Sequence, residues 1–375
     1  MAEQEPGARA KYTVRPAEPG DKDGFLDLYE ATWGRARSDA WFDWRFRRDP
    51  YSPGVEMIVA EGEDGLVGAE PLLLMPLAVD GETVPARQPV DWIVHPDHRR
   101  QGVFTRMTEA LLSTYADAAA VLFNFPNTEL QPGLEKFDWR TVAEQQTRYR
   151  IQDLTRAAGP SLGTSTAAQL LSKAGTTALT AALSVSDRLA STPDNVDVER
   201  VDGVAASAIN EVYAETRPDA IHVPRERAFV AWRFGNPTWE TTTYVATRAG
   251  RPVATLVVGV EVTATATVAN LLDVQPMQTD PDRAGAFAAV LDAALDAIGA
   301  DADVVRTNAT PFASVLRRRG FLSGDSRLLD RFTPATTLAV RPLAASDGGV
   351  GDEALDAELF DGDSWALQLG DRDIE

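Results

Sequence analysis

The sequence predicts an α/β fold with mixed sheets, arranged as two similar domains in tandem. Its 375 residues are enough for about two domains of ordinary size. Strand-like and helical patterns alternate along both halves of the chain. The order of these patterns in the first half recurs in the second, which is typical of a duplicated domain. Each half is long enough to bury a core of its own.

The first half opens with a strand-like run, YTVRPA, followed by an amphipathic helix, DKDGFLDLYEATW. Two strand-like stretches come next, and EGEDGLVG has the composition of a turn between paired strands. A third stretch, ETVPARQPVDWIVHP, leads through a polar loop into the helical pattern GVFTRMTEALLSTYADA. These periodicities predict a strand, a helix, a group of strands and a second helix.

The second half repeats this order from VDVERVDG onwards. The best local match is Trp44-Arg45-Phe46 before Asp49-Pro50, against Trp232-Arg233-Phe234 before Asn236-Pro237. The helical pattern GAFAAVLDAALDAIGA then stands where GVFTRMTEALLSTYADA stands in the first half. The shared order of five elements indicates duplication rather than chance similarity.

The predicted boundaries follow from these repeats and from changes in composition. The last thirty residues contain ten acidic residues and one basic residue, but they also contain Phe360, Trp365, Leu367 and Leu369. We therefore expect the acidic end of the chain to dock on the folded body. The predicted segments are a flexible tail at 1–11, a domain at 12–154, a helical linker at 155–196, a second domain at 197–343 and an acidic tail at 344–375.

The charge balance excludes several classes of partner. The chain has 36 Lys+Arg and 56 Asp+Glu, a net charge of -20. Such a surface repels phosphate backbones and anionic lipid, so we expect no nucleic-acid or membrane partner. An acidic, lysine-poor composition also resembles that of halophilic proteins, in which high salt screens self-repulsion.

The composition also limits the chemistry. The chain has no cysteine, which excludes a thiol nucleophile and thiolate metal sites, and its three histidines do not form a metal motif. We expect no metal. No stretch has the length of a membrane span, and the N-terminus lacks the apolar core of a signal peptide, so we expect a cytoplasmic protein.

One loop has the features of a phosphate-binding site. The stretch PDHRRQGVFTRM runs from Pro96 to Met107, and its helical pattern begins near Gly102. A helix N-terminus exposes unpaired backbone N–H groups and the positive end of the helix dipole. A glycine there allows a phosphate close to the backbone, and Arg99 and Arg100 add positive charge. On the loop alone, an ordinary helix start with solvated arginines explains the same residues equally well.

This loop resembles the acyl-CoA loop of the GNAT superfamily of N-acyltransferases. In that family an Arg/Gln-x-x-Gly-x-Gly/Ala loop holds the pyrophosphate of coenzyme A with its backbone amides. Arg99 and Gly102 match the pattern, whereas Phe104 replaces the small residue. The resemblance implies cofactor contacts from Ile93, Val94, Arg99, Arg100, Gln101, Gly102, Val103, Phe104, Thr105 and Asn127.

A second GNAT element supports the resemblance. NTELQPGLEKFDW is similar to the family's Asn…Tyr-Glu-Lys-Leu-Gly-Phe, with Asn127 at the asparagine and Trp139 at the aromatic. Leu134 stands where the family has the tyrosine that serves as the general acid. Together the elements imply a transferase that moves an acetyl or other acyl group from acetyl-CoA to an amine, on a small-molecule or peptide acceptor.

The corresponding loop of the second half has lost this chemistry. Gly285 and Phe287 keep the spacing of Gly102 and Phe104, but Asp282 replaces Arg99 and Asp280 lies close by. Negative charge opposes phosphate binding, so we expect a degenerate second GNAT-like domain. A tandem of this kind resembles acetyltransferases of the enhanced-intracellular-survival type, without their third, sterol-carrier-like domain.

Two parts of the chain supply candidates for the catalytic base. Asp91 lies inside PVDWIV, where it is a base whose pKa is raised by burial, an outward-facing strand residue or a structural hydrogen-bond acceptor. The resemblance to tandem relatives, in which the C-terminal carboxylate reaches the site, makes the end of the chain the second candidate, through Asp371, Asp373 or Glu375. Tyr115 and Tyr149 are alternatives to the missing tyrosine, although each equally suits packing.

The segment WFDWRFRRDP lies where GNAT proteins contact the acceptor. Trp41, Trp44 and Arg45 are therefore candidate substrate-binding residues, because aromatic rings beside an arginine suit a flat or acidic acceptor. The repeat of this segment in the second half favours core packing instead. The alternatives for the whole chain are an acyl-CoA-binding sensor or scaffold and a FemX-like aminoacyl transferase. The sequence leaves the acceptor and the oligomeric state open.

Overall fold

The computed structural model describes residues 11–153, 196–262, 266–278, 280–299, 301–308, 310–326, 336–343 and 357–373. The predicted linker at 155–196, apart from its last residue, lies outside these ranges, as does Glu375. The chain forms two compact units. Unit 1 comprises Met1–Met75, Pro85–Phe123 and Pro342–Val350, and unit 2 comprises Pro76–Val84, Asn124–Arg341 and Gly351–Glu375.

The described residues form strands and helices in alternation, as the α/β prediction requires. The strands are β1 Thr13–Pro16, β2 Glu56–Gly62, β3 Gly65–Leu74, β4 Leu77–Val79, β5 Glu82–Val84, β6 Ala86–Pro89, β7 Ile93–Val94, β8 Val121–Asn124, β9 Arg140–Gln145, β10 Arg148–Ile151, β11 Asp197–Asp202, β12 Glu240–Arg248, β13 Arg251–Val262, β14 Thr267–Gln275, β15 Val304–Thr307, β16 Leu322–Ser323 and β17 Thr336–Pro342. The α-helices are α1 Lys22–Trp33, α2 Asp39–Phe42, α3 Val103–Thr114, α4 Gln131–Glu135, α5 Ala206–Glu215, α6 Arg227–Arg233, α7 Pro281–Ile298 and α8 Ala313–Arg318.

Unit 1 is built on an antiparallel meander of β1, β2 and β3, continued by β6 and by β8, which runs parallel to β6. Helix α1 buries Phe25 and Leu28, and α3 buries Met107 and Leu111. Helix α3 can approach the sheet closely because Gly68 has no side chain. A Cβ at Gly68 would lie 2.8 Å from the Met107 side chain.

The strand that leads to the arginine-containing loop carries a β-bulge. β6 pairs with β3 up to Pro89↔Leu72, and β7 resumes the pairing at Ile93↔Ala69. Two residues of β3 therefore face three residues, Val90–Trp92, on the other strand. Asp91 lies in this bulge with a φ of 48°, a left-handed conformation that is uncommon for aspartate.

The sheet of unit 2 has the strand order β11-β12-β13-β14-β15-β10-β16. Strand β10 precedes the predicted linker along the chain, yet it lies between β15 and β16, antiparallel to both. Strands β9 and β17, which are also distant in sequence, form an antiparallel pair. These strand pairs join segments that are distant in sequence, and local sequence patterns do not reveal them.

The element order of unit 1 recurs in unit 2, as the sequence predicted. Helix α7 packs on β12 and β13, and Phe287 stacks on Phe312 with ring centroids 4.2 Å apart. Strand β14 carries a bulge at Leu272, because Val257 pairs with Asp273 while Val258 pairs with Leu271. Both units therefore have a bulged strand that is followed by a loop and a helix.

The acidic end of the chain packs against unit 2 through the apolar residues noted above. Trp365, Leu367 and Leu369 are buried. The Trp365 indole Nε1 donates to the Leu359 carbonyl at 3.0 Å, and Ala366 N donates to the Ile221 carbonyl at 2.8 Å. Within the described ranges, no helix has the length and apolar character needed to cross a membrane.

Candidate functional site

The loop that joins the bulged strand to α3 is held in an unusual backbone conformation. A 3₁₀ turn at Pro96–His98 follows β7. Arg100 and Gly102 then have φ angles of 60° and 77°, and Gly102 is the N-cap of α3. Left-handed backbone is easily adopted by glycine but is strained for other residues.

Several backbone N–H groups of this loop have no partner in the described part of the chain. Those of Arg100, Gln101 and Gly102 make no hydrogen bond to any residue that the structure describes. The first N–H groups of α3 have no partner within the helix. A Cβ at Gly102 would meet nothing within 4 Å, so the space above these donors is open. The geometry fits an anionic group.

The side chains around the loop divide into two groups. Arg99 and Arg100 are exposed, although Arg99 Nε also donates to the Val94 carbonyl at 3.1 Å. Gln101 instead holds the loop together. Its Nε2 donates to the Asp97 carbonyl at 2.9 Å, and its Oε1 accepts from the Tyr12 hydroxyl at 2.8 Å. The side chain of Gln101 therefore stabilises the loop, while its backbone N–H has no partner among the described residues.

The residues on either side of the glycine are placed differently. Val103, the first residue of α3, is buried, and Thr105 is exposed on the first turn of that helix. The Phe104 ring lies edge-on to Trp92 of the bulge, with centroids 5.6 Å apart. The aromatic residue that departs from the family pattern thus packs on the bulge. Ile93 is buried, so any contact from it is through its backbone.

The second sequence element lies in unit 2. Asn127 Oδ1 accepts from Glu129 N at 3.1 Å and from Leu130 N at 2.9 Å, which forms the turn before α4. Leu134, at the family's tyrosine position, is part of α4 and is 1% exposed. Asn127 is therefore not in the same unit as the other predicted cofactor residues, and its contact with a cofactor stays a prediction.

Asp91 is paired with a buried arginine. Its Oδ2 accepts from Arg45 Nε at 2.5 Å, and the two side chains are 4% and 0% exposed. The bulge directs this carboxylate to Arg45, whose guanidinium also lies 5.6 Å from the Trp41 ring centroid. Trp41, Trp44 and Arg45 are all buried, which favours packing. Their contact with an acceptor and the catalytic role of Asp91 stay predictions.

Arg37 and Tyr29, which lie beside Trp41, were not singled out from the sequence as site residues. The Arg37 guanidinium lies 4.7 Å from the Trp41 ring centroid and donates to the Tyr29 hydroxyl at 3.1 Å. Burial, and secondarily the charge of Asp91, raises the pKa of Tyr29 to about 12. Burial likewise raises the pKa of Tyr115, at the end of α3, to about 12. Both phenols are therefore protonated at neutral pH.

Glu70 was also missed. It is fully buried on β3, where its Oε1 accepts from the Thr108 hydroxyl of α3 at 2.9 Å and its Oε2 has no hydrogen-bond partner among the described residues. Burial raises its pKa well above the ordinary value for glutamate. The signal available in the sequence was a single carboxylate inside the apolar run GLVGAEPLLLM.

The described residues contain no group of histidine, aspartate and glutamate side chains placed to hold a metal ion.

Residues 13–142 match the family model of an acetyltransferase (GNAT) domain. This match identifies a GNAT-type domain in this part of the chain. The sequence has no significant match among curated proteins.

Solved structures show that the GNAT-type fold extends over most of the chain. A GCN5-related N-acetyltransferase from Anabaena variabilis matches with a TM-score of 0.59 and 11% identity, over 89% of this chain and 73% of the other. Eis1 from Mycobacterium abscessus matches with a TM-score of 0.52 and 14% identity, over 88% and 73%. Saccharomyces cerevisiae N-myristoyltransferase with bound myristoyl-CoA matches with a TM-score of 0.57 and 11% identity, over 91% and 81%.

The second GNAT-like unit is degenerate in structure as in sequence. Asp280 is the N-cap of α7, and its Oδ1 accepts from Asp282 N at 2.9 Å. Arg283 is paired with Glu215 at 2.8 Å and with Asp280 at 3.3 Å. Gly285 lies inside α7 rather than at its start. A protein carboxylate thus binds a helix-start amide that the GNAT loop leaves open.

Proposed function

We propose that this chain is a cytoplasmic N-acetyltransferase, which transfers the acetyl group of acetyl-CoA to an amine of a small molecule or a peptide. The observation that carries the proposal is the loop at Gly102, where backbone N–H groups have no partner among the described residues, the space around a Cβ at Gly102 is open and two arginines are exposed. The myristoyl-CoA bound to the yeast N-myristoyltransferase, a protein of similar fold, supports an acyl-CoA as the co-substrate.

The loop residues fit the pyrophosphate of acetyl-CoA. The amides from Arg100 to Gly102 and the first turn of α3 would donate to its oxygens, and the positive end of the helix dipole favours its charge. The guanidinium groups of Arg99 and Arg100 would add charge-assisted hydrogen bonds. Acetyl-CoA itself supplies a thioester, whose carbonyl carbon is open to attack by an amine.

The transfer requires two proton movements. The amine nitrogen forms a bond to the carbonyl carbon and loses a proton to a base, while the carbon–sulfur bond breaks and the leaving thiolate gains a proton. Asp91 is the proposed base in the described part of the chain, with its carboxylate positioned by Arg45. Glu375, outside the described residues, is the second proposed base.

Binding is tested by thermal unfolding with and without acetyl-CoA. We expect acetyl-CoA at 100 times its Kd to stabilise the wild type by about 2.7 kcal/mol, because only the folded chain binds it. Gly102→Glu should abolish this shift by placing a negative side chain in the open space. No shift with the wild type at millimolar acetyl-CoA would overturn the proposal.

Gly34→Glu is a matched control for that variant. Gly34 has a φ of 67°, caps the end of α1 and has nothing within 4 Å of an added Cβ. The control therefore introduces the same charge and a similar backbone strain away from the loop. Both variants should unfold at a lower temperature than the wild type, but only Gly102→Glu should lose the acetyl-CoA shift.

Transfer is tested separately, by the release of free thiol from acetyl-CoA in the presence of a panel of amines. Asp91→Asn should retain the acetyl-CoA shift and lose about 100-fold or more in kcat, the usual effect of removing a general base. Removing Asp373–Glu375 tests the other carboxylate in the same assay. Unchanged transfer in both variants would remove both proposed bases.

An acyl-CoA sensor without transferase activity is the second candidate function. The observation that favours it is Leu134, which is apolar and 1% exposed. It stands at the position where the family has the tyrosine that serves as the general acid. A sensor would show the acetyl-CoA shift and its loss in Gly102→Glu, with no thiol release for any amine. The two experiments together therefore separate an enzyme from a sensor.

A further inference from the structure

The C-terminal segment, defined as Leu367–Arg372, lies in the part of unit 2 that follows the bulge of β14. Strands β14 and β15 run parallel up to the pair Asn270↔Arg306. Beyond that pair, Val274 of β14 and Asn308 after β15 both bind residues of this segment. The segment therefore lies in the cleft between the ends of the two strands.

The first contacts between the C-terminal segment and the cleft involve backbone groups. The Gln368 carboxamide binds Val274 in both directions: its Oε1 accepts from Val274 N at 3.1 Å, and its Nε2 donates to the Val274 carbonyl at 2.6 Å. Asn308 Nδ2 donates to the Leu367 carbonyl at 3.1 Å. Gln368 thus supplies the donor and acceptor of a paired strand at the end of β14.

Arg233 binds the next part of the segment. Its Nε donates to the Gly370 carbonyl at 2.8 Å, and its Nη2 donates to the Arg372 carbonyl at 2.6 Å. Arg233 occupies the place in the repeated Trp-Arg-Phe sequence that Arg45 occupies in unit 1. The arginine that binds the bulge carboxylate in unit 1 therefore binds peptide carbonyls in unit 2.

An ion-pair network joins the segment to the bulge. Arg225 donates to Asp371 Oδ2 at 2.8 Å and to Asp273 of β14 at 2.6 Å, and all three side chains are fully buried. Removing one member of such a network leaves a buried charge without its partner, which is strongly destabilising. Asp371 thus fixes the register of the segment in the cleft.

The backbone of Gly370 is in close contact with the walls of the cleft. A Cβ at this position would lie 2.9 Å from the Leu272 carbonyl oxygen and closer still to the Phe234 ring. The φ angle of Gly370 is not in the left-handed region, so the requirement for glycine is steric. The cleft and the segment are therefore complementary in shape, hydrogen bonding and charge.

We propose that the cleft of unit 2 is a peptide-binding site whose ligand is the chain's own C-terminal segment. The occupant is the segment itself rather than a foreign peptide, because its carbonyls, Gln368, Gly370 and Asp371 are each matched by a group of the cleft. The degenerate GNAT-like unit thus retains the bulged strand and the arginine of the repeat, and uses them to hold a peptide. The proposal does not depend on acetyl transfer.

The test separates the segment from the body of the chain by a single cut in the full-length protein. A specific protease site is inserted between Gly349 and Val350, outside the described residues, and the folded chain is cleaved. We expect the fragment 350–375 to co-elute with the body in gel filtration. An excess of labelled peptide 361–375 should exchange with it saturably.

Variants confined to the fragment leave the sequence of the body unchanged. Gly370→Ala should reduce retention of the fragment at least tenfold, because its methyl group has no space. Asp363→Ala, at an exposed position of the same fragment, should be retained like the wild type. Release of the wild-type fragment after cleavage, with or without unfolding of the body, would overturn the proposal. So would equal retention of Gly370→Ala or the absence of saturable exchange.

Discussion

Glu70 and Thr108 connect β3 to α3, the helix that begins at the proposed acetyl-CoA loop. Within the described part of the chain, the Glu70 carboxyl group has one hydrogen-bond partner and no exposed surface, and burial raises its pKa. A raised pKa means that the folded chain binds the proton more tightly than the unfolded chain does. The stability linked to this proton is fully present below the unfolded pKa of about 4.3, and it is lost as the pH rises towards the folded pKa.

We therefore expect Glu70→Gln to flatten the pH dependence of the free energy of unfolding. Between pH 4 and pH 8 the wild type should lose about 1.4 kcal/mol more than the variant for each unit by which the pKa is raised. Glu109→Gln, at an exposed position one residue along α3 from Thr108, is the control and should follow the wild type. Denaturant titrations at each pH measure the difference, and parallel curves for Glu70→Gln and the wild type would contradict it.

The two carboxylates at the bulges make a second comparison between single residues. Asp91 is paired with Arg45 in unit 1, and Asp273 is paired with Arg225 in unit 2. Because unit 2 has a capped helix start but also contains a buried carboxylate–arginine pair, such a pair does not by itself indicate a catalytic role, whereas removing one partner is strongly destabilising. The transfer assay of Asp91→Asn therefore has to be read beside the stability of that variant.

At the scale of elements, local patterns predicted most strands and helices. The alternation in YTVRPA and the amphipathic pattern of DKDGFLDLYEATW correspond to β1 and α1. The glycine and arginines of the loop were identifiable because the helix pattern begins beside them. In contrast, QPVDWIVHP had the appearance of one continuous strand, and the bulge at Val90–Trp92 divides it. A bulge depends on the register with β3, which periodicity along one strand does not specify.

Pairings between distant elements were the part that the sequence did not reveal. Strand β10 pairs with β15 and β16, and β9 pairs with β17, across more than a hundred residues of sequence. Hydrophobic alternation identifies a strand but leaves its partner open. The burial of Glu70 was not predictable for the same reason, because a carboxylate on β3 is covered only once α3 packs above it.

The corresponding helices α3 and α7 of the two units begin with different N-cap residues. At α3 the N-cap is Gly102, which has no side chain to bind the first amides. At α7 the N-cap is Asp280, whose carboxylate accepts from Asp282 N. An aspartate cap stabilises a helix by about 1 kcal/mol, and it occupies a donor that a phosphate would need. The sequence predicts from charge that this helix start does not bind phosphate, and the hydrogen bond between Asp282 N and Asp280 supports that prediction.

At the scale of the whole molecule, two units with a similar order of elements are proposed to bind different ligands. Unit 1 has an open loop with positive charge, whereas unit 2 has a capped helix start and a cleft that contains the C-terminal segment. Because the groups that would bind a second acetyl-CoA are already bound within the chain, one chain should bind one molecule. The repeat therefore predicts a stoichiometry of one, although the fold occurs twice.

Isothermal titration of the full chain with acetyl-CoA measures this stoichiometry. We expect one site per chain for the wild type and none for Gly102→Glu, because that change blocks the loop of unit 1 alone. Gly34→Glu should keep one site, since it adds the same charge elsewhere in unit 1. Two sites in the wild type, or one site surviving in Gly102→Glu, would place acetyl-CoA in unit 2 and contradict the assignment of its cleft to the C-terminal segment.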